Sequence, residues 1–477
     1  MGLFFPNLGD GDSFKDWSLY QVSKFYGNLN GTTLATVGSS GVLSFSASRV
    51  LSSFAGLVFA WFLGSCIWYR YLSPISNIPG PFLASFSRLW LIKTLIQGRG
   101  ASELADLHEK YGAFVRISPW EVSVCHVDTV KKLYLQPLRK GTFYEFATYP
   151  DWRFQNPMSE PDPRRKLERS KTFAAGFLQS SILRSEDVIS DTISQLLDHM
   201  DRYEQRNEPM DLDKFFTYTA FDVVGEEMVT WASHLRELHY IAVNPIMTWL
   251  SLTPAAWLGE TAFAAVKDRM ARPVENFDML SHWLKYMDDN PGKATTREIM
   301  AQATNVVGAG SDTTSCLLHD RVLPFSEVRE LPYLQACIKE ALRIHTPILM
   351  PLPRLAPEGS IEIGGRWFPE GITLSGSQWV LHRSHALWGD DVDKFKPERW
   401  LGDDAAGLER CFMPFGAGFM SCPGQHLARI EVLKITATII RDYDLQLVHP
   451  EKEWQCEMLF AQVPHSWLVY VTKRNRT

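Results

Sequence analysis

A single cysteine stands among glycines near the C-terminus, in the stretch Phe415-Gly416-Ala417-Gly418-Phe419-Met420-Ser421-Cys422-Pro423-Gly424. Gly418 comes four residues before Cys422 and Gly424 two residues after it, so the backbone can turn tightly and approach a bulky, flat ligand. The next segment, Gln425 to Ile440, has apolar residues at helical spacing and no proline. We predict a loop with the Cys422 thiol at its tip, followed by a helix whose first amides favour the thiolate. A buried structural cysteine in a glycine turn is the alternative.

The composition indicates a folded protein without attraction to nucleic acid. The chain has 477 residues, of which 45% are hydrophobic and 21% charged, and its net charge is -6. Its longest basic run is Arg164-Arg165-Lys166, so no nucleic-acid partner is predicted. The seven cysteines are scattered and never have Cys-x-x-Cys spacing, which argues against a disulfide framework and a zinc site.

An apolar run near the N-terminus predicts a membrane anchor. Residues 50–69 form a stretch of 20 residues without a charge, between Arg49 and Arg70. At ~1.5 Å per residue a helix of this length spans ~30 Å, the hydrocarbon thickness of a bilayer. A buried core helix is the alternative. Residues 1–49 are a polar to mixed tail, whose sequon at Asn30 matters only if the tail faces a lumen.

The residues after the anchor divide into a linker and one large domain. Prolines at 74, 79 and 81 block helix and central strand, so residues 70–81 are predicted to be a short, stiff tether. Residues 82–477 show no second linker and no repeat, and we predict one catalytic domain. Its fold class is mainly α with small β-sheets. Strands are predicted at 114–118, 121–124, 361–368 and 373–374, and helices at 185–203, 215–228, 262–287, 296–318 and from 332.

The cysteine loop has the pattern Phe-x-x-Gly-x-x-x-Cys-x-Gly, which resembles the haem-binding loop of the cytochrome P450 family. The resemblance covers about residues 78–470. Four further motifs occur in the order of that family, namely Pro79-Gly80-Pro81, Ala309-Gly310-Ser311-Asp312-Thr313-Thr314, Glu340-x-x-Arg343 and Pro397-Glu398-Arg399-Trp400. The resemblance implies the cytochrome P450 fold, preceded by one transmembrane helix.

The resemblance also implies roles for individual residues. Cys422 would be the ligand of the haem iron, in a loop that includes Phe415, Gly418 and Gly424. Arg354 would bind a haem propionate, because a guanidinium fork suits a carboxylate. His382 lies in a region near the same edge, although a structural histidine is an equal alternative.

Proton delivery is implied for a second motif. Asp312 and Thr313 match the acid and the threonine of the family's oxygen-activation motif, where a carboxylate beside a hydroxyl can pass protons to dioxygen. Glu340, Arg343 and Arg399 would instead form a buried charged network that braces the haem loop, with a structural role. Their alternative is an ordinary surface pair with a separate arginine.

The resemblance predicts a membrane-anchored haem-thiolate monooxygenase that oxidises a lipophilic small molecule, in the manner of fungal members active in secondary metabolism. A separate NADPH-dependent reductase would supply electrons, since the chain has no flavin or nicotinamide fingerprint. The catalytic domain would face the cytosol, at the endoplasmic reticulum. Substrate contacts are expected, by the resemblance, from residues 143–157, 241–258, 305–313, 346–352 and 460–465. The alternatives are an oxygen-independent haem-thiolate isomerase or dehydratase and an inactive haem-binding relative.

Two departures from the family pattern stand out. Met420 occupies the position two residues before the cysteine, where the family has an arginine or histidine that contacts a propionate, and methionine cannot donate that hydrogen bond. Only 27 positions separate Thr313 from Glu340, whereas the family normally places additional helices there. We therefore predict a missing segment on the cysteine side of the haem, and weaker or differently held haem unless Arg354 and the basic run Arg164-Arg165-Lys166 compensate.

Overall fold

The structure is a computed structural model that describes residues 47–147, 155–212, 215, 263–264, 266–271, 279–303, 322–452, 455–458 and 462–474. Asp312 and Thr313 lie outside the described residues, as do Asn30 and the tail before residue 47. The same holds for most of the predicted helix 215–228 and for the expected substrate contacts at 241–258 and 305–313.

Helices make up most of the described chain. Several begin at a residue suited to a helix start: Asp162 accepts hydrogen bonds from the amides of Arg164 and Arg165, and Pro163 and Pro332 occupy first-turn positions where no amide donor is needed. The described α-helices are α1 (Ala47–Ile67), α2 (Leu89–Ile96), α3 (Gly100–Tyr111), α4 (Pro163–Ala174), α5 (Gln179–Ile182), α6 (Glu186–Arg206), α7 (Met279–Asp289), α8 (Phe325–Val328), α9 (Pro332–Ile344), α10 (Gln378–Arg383), α11 (His385–Trp388), α12 (Ala405–Leu408) and α13 (Gln425–Asp442).

The strands form small sheets, as predicted. They are β1 (Phe114–Ser118), β2 (Glu121–Val124), β3 (Met210–Asp211), β4 (Leu352–Leu355), β5 (Ile361–Ile363), β6 (Arg366–Phe368), β7 (Thr373–Gly376), β8 (Tyr443–Leu447), β9 (Gln455–Met458), β10 (Gln462–His465) and β11 (Leu468–Lys473). The main sheet has the order β1-β2-β7-β4, and β2 and β7 are parallel. A three-stranded sheet has the order β3-β11-β8.

Most element predictions inside the described ranges are confirmed. The β1–β2 pair occupies the predicted residues and is antiparallel. The stretch 361–368 was expected as one strand and is a hairpin of two, because Gly364 and Gly365 both adopt positive φ and reverse the chain. Pro324 directly precedes the short helix α8.

The helix α1 covers most of the predicted membrane span. It continues into a π-helical turn, Trp68–Leu72, and its apolar side chains include Phe54, Leu57 and Trp61, which are 66%, 71% and 73% exposed. Within the described ranges, however, no helix has the combination of length and apolar character that a bilayer crossing requires.

The predicted tether is part of the folded domain rather than a free spacer. Ile75 and Ile78 are 1% and 4% exposed and belong to the largest hydrophobic core, with residues of β1, β2 and β7. The Arg116 amide on β1 donates to the Pro79 carbonyl at 2.8 Å. Two apolar side chains of the predicted tether at 70–81 therefore supply core packing.

The segment that follows residue 321 packs against the C-terminal helix α13. Phe325 and Val328 on α8 are buried in one cluster with Ile430 and Leu433 of α13. The backbone amide of Leu323 donates to the Thr438 hydroxyl at 3.1 Å. This short helix therefore covers part of α13 in the region where the sequence predicts a missing segment.

Candidate functional site

The loop of Phe415 to Gly424 is held in one conformation by its glycines. Gly416 and Gly418 adopt φ of 69° and 58°, which other residues rarely tolerate. A Cβ on Gly418 would lie 2.5 Å from the Tyr134 carbonyl oxygen, so no other residue fits there. The Cys422 amide donates to the Phe415 carbonyl at 2.7 Å and closes the loop. The predicted tight turn is thus present, and the helix α13 follows it as expected.

The sulfur of Cys422 is exposed. Desolvation by the surrounding loop raises the pKa of its thiol, and the amides of Gly424 and Gln425 only partly offset this by lowering it. The predicted amide donors are therefore present, but the net direction is opposite to the predicted one. In the protein alone the thiol is favoured over the thiolate, and a bound metal cation would reverse that preference.

Gly424 contributes in a different way from the one predicted. Its φ of -76° is accessible to any residue. A Cβ at this position would lie 3.8 Å from the Cys422 sulfur, at ordinary contact distance. A glycine here keeps one side of the sulfur clear, whereas the tight turn depends on Gly416 and Gly418. The Phe415 ring lies 5.3 Å from the Arg429 guanidinium on α13.

Arg354, on β4, is a buried cation with an unused donor. Its side chain is 1% exposed, and Nη1 donates to the Tyr144 hydroxyl and the Pro353 carbonyl, both at 2.8 Å. Its guanidinium carbon lies 5.0 Å from the Tyr134 ring centroid and 5.3 Å from that of Tyr144. Its Nη2 has no hydrogen-bond partner in the part of the chain that the structure describes. An acceptor from outside the chain would satisfy it.

Lys140 is a second buried basic side chain beside Arg354. The two residues form an isolated antiparallel β-bridge, and Lys140 is 3% exposed, with its Nζ 4.9 Å from the Tyr144 ring centroid. Burial, with the positive charges of Arg354 and Lys166, lowers the pKa of Lys140 to about 6. Its Nζ donates to the carbonyls of Pro157 and Met158. We call Lys140, Tyr144, Lys166 and Arg354 the cationic cluster.

Sequence reasoning assigned Arg354 and missed Lys140 and Tyr144. Residues 139–141 pair with β4: the Gly141 amide donates to the Pro353 carbonyl, and the Leu355 amide donates to the Arg139 carbonyl. This pairing joins residues more than two hundred positions apart, and no periodicity in the sequence indicates it.

The predicted network of Glu340, Arg343 and Arg399 is confirmed. The Glu340 carboxylate is fully buried and accepts from Arg343 Nε and Nη2 and from Arg399 Nε at 2.8 to 2.9 Å. It also accepts from the Lys396 amide and Trp400 Nε1. Burial alone would raise the pKa of Glu340, but the hydrogen bonds from Arg343, Lys396 and Arg399 hold it below its usual value.

A chain of hydrogen bonds joins this network to the cysteine loop. Arg343 Nη1 donates to the His382 carbonyl at 2.8 Å, and His382 Nε2 accepts from the Met413 amide at 3.0 Å. The Met413 carbonyl then accepts from the Gly416 amide at 2.9 Å. Burial and two nearby arginines lower the pKa of His382 to about 3, so the ring is neutral and can accept. These contacts give His382 a structural link to the cysteine loop, while its Nδ1 is buried without a hydrogen-bond partner among the described residues.

The expected substrate regions are described only in part. Phe143, Leu349 and Met350 are buried, which fits their apolar type. A small cavity beside Phe143 has both apolar and polar walls. Two of its lining residues, Arg88 and Glu121, form an ion pair at 3.6 Å. The cavity is lined by Arg88, Leu91, Glu121, Thr142, Phe143, Pro351, Pro353 and Thr373.

The residues present fit a haem. An exposed cysteine sulfur suits an axial iron ligand, and the glycine on one side of it leaves room for a flat group. The unused Nη2 of Arg354 suits a carboxylate such as a propionate. No group of three or more metal-binding side chains occurs among the described residues.

Comparison with known proteins supports the same interpretation. The family model described as Cytochrome P450 matches residues 316–469. Cytochrome P450 monooxygenase cicH of Emericella nidulans is 28% identical, over 88% of this chain and 98% of that protein. Cytochrome P450 monooxygenase gsfF of Penicillium aethiopicum is 28% identical over 89% and 99%. Pisatin demethylase of Fusarium vanettenii is 28% identical over 83% and 88%.

The alignments are longer than the part of this chain that they cover. With cicH, 490 aligned positions compare with 88% of 477 residues, which is about 420. About 70 positions of that alignment therefore have no residue in this chain.

Proposed function

Because this chain belongs to the cytochrome P450 family and is a monooxygenase with haem as its cofactor, we propose that it oxidises a lipophilic small molecule of fungal secondary metabolism. The single observation that carries the site assignment is the exposed Cys422 sulfur on a loop closed by its own amide. Monooxygenases of this family use dioxygen and a redox partner; we propose a NADPH-dependent reductase, since the sequence has no nucleotide-binding fingerprint of its own.

The residues divide the work as follows. Bound haem supplies the redox chemistry that inserts one atom of dioxygen into the substrate. Cys422 holds the iron, with Phe415, Gly418 and Gly424 shaping its loop, and Arg354 pairs with a propionate. Asp312 and Thr313 hold water and pass protons, a role that rests on their place in the Ala309–Thr314 motif.

We propose that α1 anchors the protein in the endoplasmic reticulum membrane, with the catalytic domain, residues 82–477, in the cytosol. Phe54, Leu57 and Trp61 on α1 are apolar side chains that would be exposed to water in the protein alone. Insertion of α1 into a bilayer would bury them, which supports the proposed anchoring. The positive residues beyond the span outnumber those before it, which favours the same orientation.

We also propose that part of the sequence absent relative to cicH lies between Thr313 and Glu340. The family's extra helices normally occupy this stretch, and here only 27 positions remain. In the structure, the short helix α8 packs against α13 in this region. A transcript read across residues 314–325 would show whether the shortened segment is encoded.

The decisive experiment is a spectrum of the reduced protein with carbon monoxide. We expect a thiolate-type Soret band from the parent protein, its loss in Cys422→Ser, and its retention in Cys337→Ser, which changes another partly exposed cysteine on α9. A parent protein without that band would overturn the active enzyme and favour the inactive relative.

A second variant separates the monooxygenase from an oxygen-independent isomerase or dehydratase. In a monooxygenase, Thr313→Ala should impair proton delivery to dioxygen and so uncouple electron transfer from product formation. The consumption of NADPH per molecule of product should therefore increase. A rearrangement enzyme would keep its product yield without NADPH.

A further inference from the structure

Arg116 on β1 is a buried cation whose hydrogen bonds reach the end of the N-terminal helix. It is 1% exposed, and its Nη2 donates to the Tyr69 carbonyl at 2.8 Å and to the Ser73 hydroxyl at 3.3 Å. The same guanidinium donates to the carbonyls of Ser118 and Pro119 at the β1–β2 turn. One side chain thus joins two separate segments through three backbone carbonyls and one hydroxyl, while its Nη1 has no hydrogen-bond partner among the described residues.

No carboxylate balances this charge among the ion pairs of the described residues. Burial, together with the charge of Arg70, lowers the pKa of Arg116 to about 10, so the guanidinium stays positive at neutral pH. One of its acceptors, the Tyr69 carbonyl, lies at a helix end, where carbonyl groups carry partial negative charge. The Tyr69 carbonyl belongs to the π-helical turn Trp68–Leu72 that continues α1. A cation at this end of the helix is therefore favourable.

The junction has further contacts that leave it little freedom. The Ser73 hydroxyl donates to the Tyr69 carbonyl at 2.9 Å, and the Tyr69 ring lies 6.0 Å from that of Trp120 in the β1–β2 turn. A Cβ on Gly80 would lie 2.2 Å from the Arg116 carbonyl oxygen, so the backbones are in direct contact there. The end of α1 is therefore attached to the sheet at several points.

The same sheet carries the site. Its order β1-β2-β7-β4 runs from Arg116 on β1 to Arg354 on β4. A hydrogen-bonded sheet transmits orientation because its strands cannot rotate independently. The helix end, the sheet and the cationic cluster thus form one continuous structure.

We propose that Arg116 fixes the angle at which α1 leaves the catalytic domain and thereby sets the tilt of the haem relative to the bilayer. This inference rests on the proposed anchoring of α1 in a membrane. Arg116 is a positioning residue: it contacts neither haem nor substrate, and it acts through the backbone of residues 69–73.

The test uses the full chain, loaded with haem, in flat oriented phospholipid bilayers. Linear dichroism of the Soret band reports the haem tilt, which a change in stability alone would not alter. We expect strong dichroism from the parent, a fall of at least twofold in Arg116→Gln, and a smaller fall in Arg116→Lys, which keeps the charge but loses the fork. The matched control Lys110→Gln, which removes an exposed cation on α3, should match the parent.

Unchanged dichroism in an Arg116→Gln protein that retains haem would overturn the proposal. If that variant does not fold, Arg116→Lys decides in the same way, with dichroism equal to that of the parent as the overturning result. Failure of anchoring is distinguishable, because a parent protein that does not sediment with the bilayers refutes the membrane proposal by itself. Hydrogen exchange in detergent micelles then tests the junction: the amides of Ser76 and Ile78 should exchange at least tenfold faster in Arg116→Gln, and equal rates would overturn it.

Discussion

Two buried clusters of charged side chains differ in whether their charges are balanced within the chain. In the network of Glu340, Arg343 and Arg399, one carboxylate faces two guanidinium groups, and Asp391 supplies a second carboxylate to Arg399. In the cationic cluster, Arg354 and Lys140 are equally buried, and none of the ion pairs among the described residues includes either of them. Arg354 Nη2 also lacks a hydrogen-bond partner in those ranges.

The difference indicates a structural role for the network of Glu340, Arg343 and Arg399 and a ligand-binding role for the cationic cluster. A buried ion network with every member paired can be stable without a ligand, and removal of one member leaves an uncompensated charge. A buried cluster of cations alone carries a cost in the free protein that an anionic ligand can repay. The first cluster is thus expected to respond to mutation through folding, and the second through ligand retention.

The largest effect is expected from Glu340→Gln. The variant keeps the shape of the side chain but removes the negative charge that Arg343 and Arg399 share, so the free energy of unfolding should fall by about 3–5 kcal/mol. Urea denaturation of the haem-free and haem-loaded proteins measures the change, which should be similar in both.

A matched control for Glu340→Gln is Glu409→Gln. Glu409 pairs with Lys339 at 2.6 Å, but both side chains are exposed, and such pairs contribute about 0–1 kcal/mol. A similar small loss for Glu340→Gln would show that the buried network does not stabilise the fold.

The next effect, in the second cluster, is expected from Arg354→Met. Loss of a charge-assisted hydrogen bond of about 1.5–3 kcal/mol to the propionate should increase the rate of haem loss about 10- to 100-fold. The stability of the haem-free protein should stay the same or rise, because a buried unpaired charge is removed. Haem transfer to apomyoglobin and urea denaturation of the haem-free protein measure the two quantities.

The control for this variant is Arg139→Met, at an exposed arginine next to Lys140, which should change neither quantity. If Arg354→Met destabilised the haem-free protein as strongly as Glu340→Gln does, Arg354 would belong with the structural network.

The sequence predicts the network of Glu340, Arg343 and Arg399 better than it predicts the cationic cluster. Glu340 and Arg343 are three residues apart on one helix, and Arg399 lies in a motif of its own, so local patterns together with the family resemblance predict their network. The cysteine loop is predictable for the same reason, because its glycines and Cys422 are close in sequence. The main sheet is predictable only in part: β1 and β2 are neighbours in sequence, whereas β4 and β7 come from a distant segment.

The contacts that the sequence does not indicate are those between residues far apart in the chain. Lys140 meets Arg354 through a β-bridge across more than two hundred residues, and Arg116 meets the end of α1 through backbone oxygens, which every residue type carries. At 70–81 the prolines predict a stiff tether, but they do not indicate the burial of Ile75 and Ile78, which depends on strands elsewhere in the chain.

A smaller effect concerns the pH dependence of haem retention through Lys140. With a pKa of about 6 in the haem-free fold against 10.5 in the unfolded chain, the folded state binds fewer protons between these values. Haem-free stability should therefore fall as the pH drops from about 10 towards 6. A nearby propionate would raise this pKa, so haem binding would take up a proton and haem retention should weaken as the pH rises from 6 to 8.

We expect this decline to be at most about tenfold per unit by which the pKa rises. Lys140→Met should flatten the pH profile of haem transfer, while Lys131→Met, at an exposed lysine, should keep it. Arg354, Lys166 and Glu160 face the Lys140 ammonium, and a profile that persists in Lys140→Met would exclude Lys140 as the titrating group and favour Lys166, whose pKa burial also lowers.

The smallest effect is expected from Met420→Arg, which adds a cation at the partly buried position two residues before Cys422. A hydrogen bond from this arginine to a propionate should contribute about 1 kcal/mol and slow haem loss about fivefold. Equal haem retention in Met420→Arg and the parent would contradict our interpretation of Met420 as a weakening departure. Combining Met420→Arg with Arg354→Met sharpens the result: if both arginines bind the same propionate, the benefit of Met420→Arg should be larger when Arg354 is absent, whereas additive effects would place them on different groups.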